Sequence, residues 1–464
     1  MTNAVAHRGP DAEGYFIENE IALGHRRLSI IDLTTAANQP FTDQSGRYVI
    51  VFNGEMYNYR AVKTQICDYP FQTASDTETL LAAYIKWGVN CLEKFKGMYA
   101  FAIWDKKEKE LCLVRDRMGV KPLYYFIDEE KIIFASEIRA ILASGYVQKR
   151  ISKRALFEYF SYQSVTAPLT MIEGIQQLEA GSYLKIKQGK SETVKYWNVC
   201  DTSKQIEYAD AAAIQKNIKQ LLGQSVERRL VSDVPVGAFL SGGIDSSVVV
   251  GLMSEVCKVK PATFNISFSE KEYDESEYAE IIAKKFNTRH TKIQLSPATM
   301  LDELEHALTA MDTPSGDGVN SYVVSKAIKN AGIKVALSGV GGDELFAGYP
   351  IFSQFQKLHD KRKWWKYSAL IRKLGAASLF PGKFANKKYR LQQLLKAPAP
   401  DIEYVYPVLR QMLSPQLVKQ LTNVAVNDST TLQQYLFKHK EQLHQLPVLS
   451  QVSAAEYMGY TQHT

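Results

Sequence analysis

The sequence predicts an α/β protein of two domains, with antiparallel sheets in layers first and a mostly parallel, doubly wound sheet second. Three observations carry this. Up to about Trp197 the chain runs in short β-rich segments broken by turns. After a polar stretch it alternates apolar strands with amphipathic helices. Beyond Tyr349 the pattern is helical and basic, so the second domain ends in a helical part. At 464 residues the chain exceeds what one hydrophobic core organises. The domains are expected at residues 1–198 and 208–464, with the boundary near 198–210.

In the first domain the expected strands lie in "YFIENEIALGHRRLSIIDL", "RYVIVFNGEMYN", "MYAFAIWDKKEKELCLVRDR", "KPLYYFID", "KIIFASE" and "GSYLKIKQGK". The stretch "ETLLAAYIKWG" supplies a helical period among them. In the second, "VPVGAFL", "ATFNISF", "HTKIQL" and "IKVALSG" read as strands. Helices are expected in "SSVVVGLMSEVCK", "DESEYAEIIAKKFN", "MLDELEHALTAM" and "SYVVSKAIKNAG". There are no internal repeats.

Composition describes an ordinary soluble protein, with 45% hydrophobic and 23% charged residues. The five cysteines are scattered without a CxxC pair, which argues for reduced cytosolic thiols over a disulfide framework or zinc site. No apolar run reaches the roughly 18 residues of a membrane helix, and no secretory signal pattern opens the chain. A cytoplasmic enzyme without a membrane partner is expected. Residues 357–396 hold twelve Lys or Arg against one Asp, while the whole chain carries +7. A nucleic-acid or membrane-surface patch competes there with a basic helical face that is solvated or meets acidic surfaces, and the second reading is preferred.

The sequence "SGGIDSS" (residues 241–247) stands where a strand ends and a helix begins, the crevice in which open α/β sheets bind ligands. Gly242 and Gly243 allow a tight turn with exposed N–H groups. Ser241, Ser246 and Ser247 add hydroxyls, and the helix start favours an anion. Asp245 would repel a bare phosphate, so it implies a bridging cation, naturally Mg²⁺. A glycine-rich turn with an incidental cap is the bland alternative. The motif resembles the pyrophosphate loop of ATP pyrophosphatases; with no Lys after the glycines it is not a Walker A loop. A second strand end, "ALSGVGGDELFAGY", places Asp343 and Glu344 at a helix start, where acids also serve the dipole. Beside Asp245, Asp343 is the candidate second metal ligand.

With "SGGIDSS", "YDESEYA" and "LSGVGGDELFAGY" in this order, the second half resembles the synthetase domain of glutamine-hydrolysing asparagine synthetases. The first half is similar to their class II glutaminase domain through "HRGPDAEGYF", "HRRLSIIDL", "NGEMYNY", "SDTETLL", "GMYAFAIWD", "RDRMGVKPLYY" and "FASEIRAI". The resemblance implies an N-terminal-nucleophile-type α/β/β/α sandwich followed by an ATP-pyrophosphatase domain. Ammonia released from glutamine would pass through an internal tunnel to aspartate activated as β-aspartyl-AMP. Arg27 would pair with the glutamine carboxylate, with Leu28, Ser29, Ile30 and Ile31 walling the pocket. Asn53 and Gly54 would donate to the oxyanion, and Glu55 and Asp76 would hold the ammonium group. Leu240 and Ile266 would line the adenine and ribose pocket, and Ser338 and Gly339 would also touch ATP. The resemblance further implies a homodimer.

Three departures temper these expectations. The family's nucleophilic cysteine follows the initiator Met, whereas "MTNAVA" precedes "HRGPD" here. Thr2 lies only five residues before His7, too close to replace a residue that begins a strand elsewhere in the sandwich. No glutaminase activity is therefore expected from the chain as written. The family's C-terminal lysine-bearing stretch does not follow "AEYMGYTQHT", so missing ends on both sides are expected. Finally, Val340 stands where these synthetases often carry an acidic residue that helps form the adenylate. That leaves open amidation of another carboxylate, such as a surface-sugar acid, or a catalytically impaired binding protein.

Overall fold

The computed structural model describes residues 1–201, 210–268, 274–367, 369–378, 386–424 and 429–462. Most of the expected boundary, residues 202–209, lies outside them.

Period-two alternation builds the first half. A six-stranded antiparallel sheet runs in the order Lys190–Lys195, Ser182–Lys187, Glu110–Arg115, Met98–Asp105, Tyr48–Glu55, Phe41–Thr42. Along Tyr48–Glu55, Ile50 and Phe52 enter the core shared with the Asp76–Trp87 helix, while Val49 and Val51 enter the core on the opposite face. Phe101 and Ile103 likewise alternate with Ala100 and Ala102. That parity is what a strand buried on both faces requires.

Over the second face lie two further sheets, the hairpin Ala12–Glu18/Ile21–Arg27 and the three strands Ile132–Ala135, Tyr124–Ile127 and Gln176–Gln177. Tyr125 faces the inter-sheet core, and Tyr124 faces outward to the helix Ile138–Leu142. Helix, sheet, sheet and helix make the four-layer sandwich.

In the second half four parallel strands run in the order Arg289–Leu295, Ala262–Phe268, Val236–Phe239, Val335–Leu337. The helices Ile244–Val256, Ser276–Lys285, Pro297–Ala310 and Gly318–Asn330 connect them. The chain leaves Val236–Phe239 toward one side and returns on the other at Val335–Leu337. The gap between these two strands is therefore the topological switch point. Among the described residues the elements from Pro350 on are helical, and several of them pack around Phe355, Val405, Tyr406 and Val452.

Part of the basic stretch turns inward. Arg372 stacks on Trp365 at 4.4 Å and donates to the carbonyls of Trp365, Leu395 and Ala397, and Arg390 donates to Gln411 O. These cations satisfy helix-end carbonyls instead of facing a polyanion. Residues 379–385 of that stretch lie outside the described ones. Among the described residues no helix is long and apolar enough to cross a membrane.

Candidate active site

Two regions gather the chemistry. The first is a cavity of about 550 Å³ in the sandwich, lined by Arg27, Leu28, Ile30 and Ile31, by Asn53, Gly54 and Glu55, and by Asp76. Ser29 does not line it; its N–H donates to Asp11 Oδ2 at 2.9 Å. Asn53 sits near the end of a central strand and donates to Ser136 Oγ at 3.2 Å. A Cβ on Gly54 would collide with the Met98–Tyr99 backbone, so only glycine lets the strands approach there.

Glu55 and Asp76 are two buried carboxyls in this lining. Burial pushes Asp76 up to about 7, although Met56 N–H donates to it at 2.9 Å. Burial also raises Glu55, whose Oε1 has no hydrogen-bond partner. Two desolvated acids with an unsatisfied oxygen have the chemistry to accept a cationic donor.

Arg27 is committed more fully than its role as a carboxylate clamp suggests. Nη1 donates to Thr34 O and Asn38 Oδ1, both at 2.8 Å, and Nη2 donates to the carbonyls of Ile31 and Asp32. Both terminal nitrogens thus hold the backbone of the wall, and a bidentate grip on a ligand requires exchange of these bonds.

Thr2 also borders the cavity, from a 3₁₀ segment and not from the start of a strand. The turn Thr2–Arg8 folds back over the Ile21–Arg27 strand, and Thr2 Oγ1 lies 3.0 Å from Tyr15 Oη. A 3₁₀ segment reverses course within a few residues, which distance along the chain does not reveal. Lys121, half-buried in the lining and pushed down by desolvation and by Arg8, was not singled out in the sequence.

The second region is the crevice at the switch point. Leu240 is buried, its N–H donates to Phe264 O at 2.8 Å, and its carbonyl accepts from Asn265 Nδ2 at 3.0 Å. This fixes where the 241–247 loop leaves the sheet. Ser241 Oγ accepts from Gly243 N at 3.2 Å and lies 3.0 Å from Ser246 Oγ, and Ser247 Oγ donates to Gly243 O at 2.7 Å. Gly242 has φ +86° and packs against Tyr278 and Ala279, where a Cβ would collide. No side chain caps the start of Ile244–Val256, so its first N–H groups face the crevice.

Across the gap, Gly339 and Gly342 press on Asp245: a Cβ on either would meet its side chain. Asp343 follows at once, and a Cβ on Gly348 would strike its carboxylate. Burial raises Asp245 first, and the charges of Asp343 and Glu344 raise it further. Glu344 Oε1 accepts from Tyr349 Oη and Thr461 Oγ1, both at 3.3 Å. Asp245 and Asp343 thus bring like-charged, hard oxygen donors to one crevice, the ligand chemistry that Mg²⁺ takes. Ile266 is half-buried, Ser338 is exposed, and Val340 is 83% exposed in the loop between them and Asp343.

Sequence reasoning missed Asn265, Ser136 and Tyr349. An Asn amid the apolar strand "ATFNISF" is the one visible signal, because a buried amide needs a partner.

Residues 1–197 match the family model "Glutamine amidotransferase domain", and residues 217–458 match "Asparagine synthase". A protein of Methanocaldococcus jannaschii named putative asparagine synthetase [glutamine-hydrolyzing] 2 is 39% identical over 75% of this chain and 72% of its own length. Asparagine synthetase [glutamine-hydrolyzing] 1 of Bacillus subtilis is 36% identical over 76% of this chain, which spans 56% of that protein. Amidase chry2 of Gibberella zeae is 32% identical over 75% of this chain and 54% of its own length. With both family models filling the two halves described above, the chain belongs to the glutamine-hydrolysing asparagine synthetase family.

Proposed function

We propose that this chain carries the two half-sites of an ATP-dependent amide ligase that forms L-asparagine from L-aspartate. The observation that supports this most is the meeting of Asp245 with Gly339 and Gly342, one residue from Asp343, at the ends of two neighbouring strands. In this reading Asp245 and Asp343 hold Mg²⁺, which neutralises the leaving diphosphate. Ser241, Gly242, Gly243, Ser246 and Ser247 bind the phosphates with hydroxyl and backbone donors. Leu240 and Ile266 line the base and ribose, with Ser338 and Gly339 also at the nucleotide. Positioning and charge neutralisation dominate such a transfer, so the protein supplies little covalent chemistry.

The aspartate β-carboxylate attacks the α-phosphorus of ATP, diphosphate leaves, and ammonia displaces AMP from β-aspartyl-AMP. Glutamine bound at Arg27, Glu55 and Asp76 is the ammonia source in this family reading, with Asn53 and Gly54 donating to the oxyanion. Among the described residues no cysteine lines the cavity, so free ammonium is the nitrogen donor to assay first.

Val340 favours a second reading, amidation of a different carboxylate, because an exposed apolar side chain cannot assist a β-carboxylate as an acid would. The relative named an amidase agrees with a family of several substrates. Incubation with ATP, Mg²⁺, ammonium and either aspartate or sugar acids, read by product mass and released diphosphate, decides. Asparagine formation supports the first reading. Turnover only with another acid supports the second, and nucleotide binding without diphosphate release removes both.

A further inference from the structure

We infer that Asp233 and Lys334 are positioning residues of a relay that links the nucleotide crevice to the wall of the glutamine pocket. Each stands shortly before one of the two neighbouring central strands, Val236–Phe239 and Val335–Leu337. The far ends of these strands open into the 241–247 loop and into Ser338–Gly339. Just before these strands, Asp233 meets residues 30–32 of the first domain and Lys334 meets Asp11, which in turn holds Ser29.

The contacts are specific. Asp233 N–H donates to Ile30 O at 2.9 Å, and Asp32 N–H donates to Asp233 Oδ2 at 2.7 Å. Lys334 Nζ reaches Asp11 Oδ2 at 2.8 Å, and the same oxygen accepts Ser29 N–H at 2.9 Å. From the other side Arg27 holds the carbonyls of Ile31, Asp32 and Thr34. Asp32 itself adopts φ +54° and caps Ala74 N–H at 2.9 Å, two residues before Asp76. The wall is thus shaped between a first-domain guanidinium and two second-domain side chains.

A four-residue strand is about 13 Å long and is laterally hydrogen-bonded. It therefore moves as a unit when its loop closes on an anion. A shift at either end has to be accommodated at the other, and by linkage glutamine and nucleotide then affect each other's binding equally. The relay rests on the reading of the crevice as the nucleotide site.

The test uses the full chain with ATP and Mg²⁺, amide hydrogen exchange of residues 28–34 and calorimetric ATP binding. In the wild type ATP slows exchange at Ser29 and Asp32 by about tenfold, the size of one charge-assisted hydrogen bond. Asp233→Ala and Lys334→Ala abolish that response while ATP affinity stays within about twofold, and Asp233→Asn and Lys334→Arg keep it. A purely structural role would raise exchange in the alanine variants and leave the ATP-dependent difference intact, which overturns the relay. ATP binding without any response at Ser29 and Asp32 in the wild type also overturns it, with the crevice assignment standing. Absence of ATP binding removes the assignment and the relay together.

Discussion

In the proposed reading the sandwich cavity and the strand-end crevice solve the same problem, holding a charged small molecule, by opposite means. In the cavity the protein brings most of the partners itself: buried Glu55 and Asp76, a wall braced by Arg27, and a floor of tightly paired strands. In the crevice Ser241, Gly243 and Val340 are exposed, and the like charges of Asp245, Asp343 and Glu344 are left facing each other. The first site is preorganised and pays in desolvation. In the proposed reading the second is completed by a cation and a nucleotide, which relieve the mutual repulsion of its carboxylates.

If that contrast holds, the largest effect belongs to the residue with no substitute. Asp245→Ala is expected to lower diphosphate release by about 10³-fold with little change in fold, because an electrostatic anchor at the transferring group is lost. A loss under tenfold in a turnover assay would mean that the crevice does not rely on that carboxylate. Next, Gly342→Ala drives a methyl into the Asp245 side chain. It should cost about 10²-fold in kcat, the scale of a misplacement near 1 Å. Normal kcat in this variant would show the crevice to be looser than described.

The domain seam gives a prediction of stability. Asp312 accepts Ile138 N–H at 2.5 Å, Arg139 N–H at 2.9 Å and Arg139 Nε at 3.2 Å. Asp312→Ala should destabilise by about 2–3 kcal/mol, since it leaves charge-assisted donors without their acceptor. Urea unfolding checks this; an unchanged midpoint would mean that the seam is solvated.

Much of the fold could be read in the chain because burial on both faces of a sheet writes itself as parity, as in Ile50 and Phe52 against Val49 and Val51. Two of the parallel strands, in "VPVGAFL" and "IKVALSG", were marked by apolar runs that lead into Ser-Gly. The helix Lys153–Tyr162, capped by Ser152, and the helix Ala211–Arg229 were not anticipated, since their polar faces blend into the neighbouring turns. The crevice was readable from two strand–loop–helix signatures. The seam was not. Asp233 and Asp32 are about 200 positions apart, and no local pattern specifies which surface loop a distant aspartate will meet. Arg27 teaches a related lesson: the resemblance implies an anion partner for it, while within the chain its terminal nitrogens donate to the carbonyls of an irregular loop, which residue type alone does not reveal.

The smallest expected effect is in pH. Asp76 is raised to about 7 by burial, so without ligand its carboxyl is largely neutral below that value and charged above it. The unfolded chain loses this proton near pH 4. Between about pH 4 and 7 the folded state therefore binds more protons, and this group's contribution to stability falls as pH rises. A ligand ammonium favours the charged form. Glutamine affinity should accordingly rise by up to about tenfold from pH 6 to pH 7 and level off above it, with proton release on binding near neutrality. Asp76→Asn should flatten both curves, reducing affinity above pH 7 while removing the stability loss between pH 4 and 7. Calorimetry in buffers of different ionisation enthalpy counts the released proton directly. A flat affinity profile in the wild type would mean that Glu55 alone receives the ammonium, and that the cavity is less completely built from its own residues than its contrast with the crevice requires.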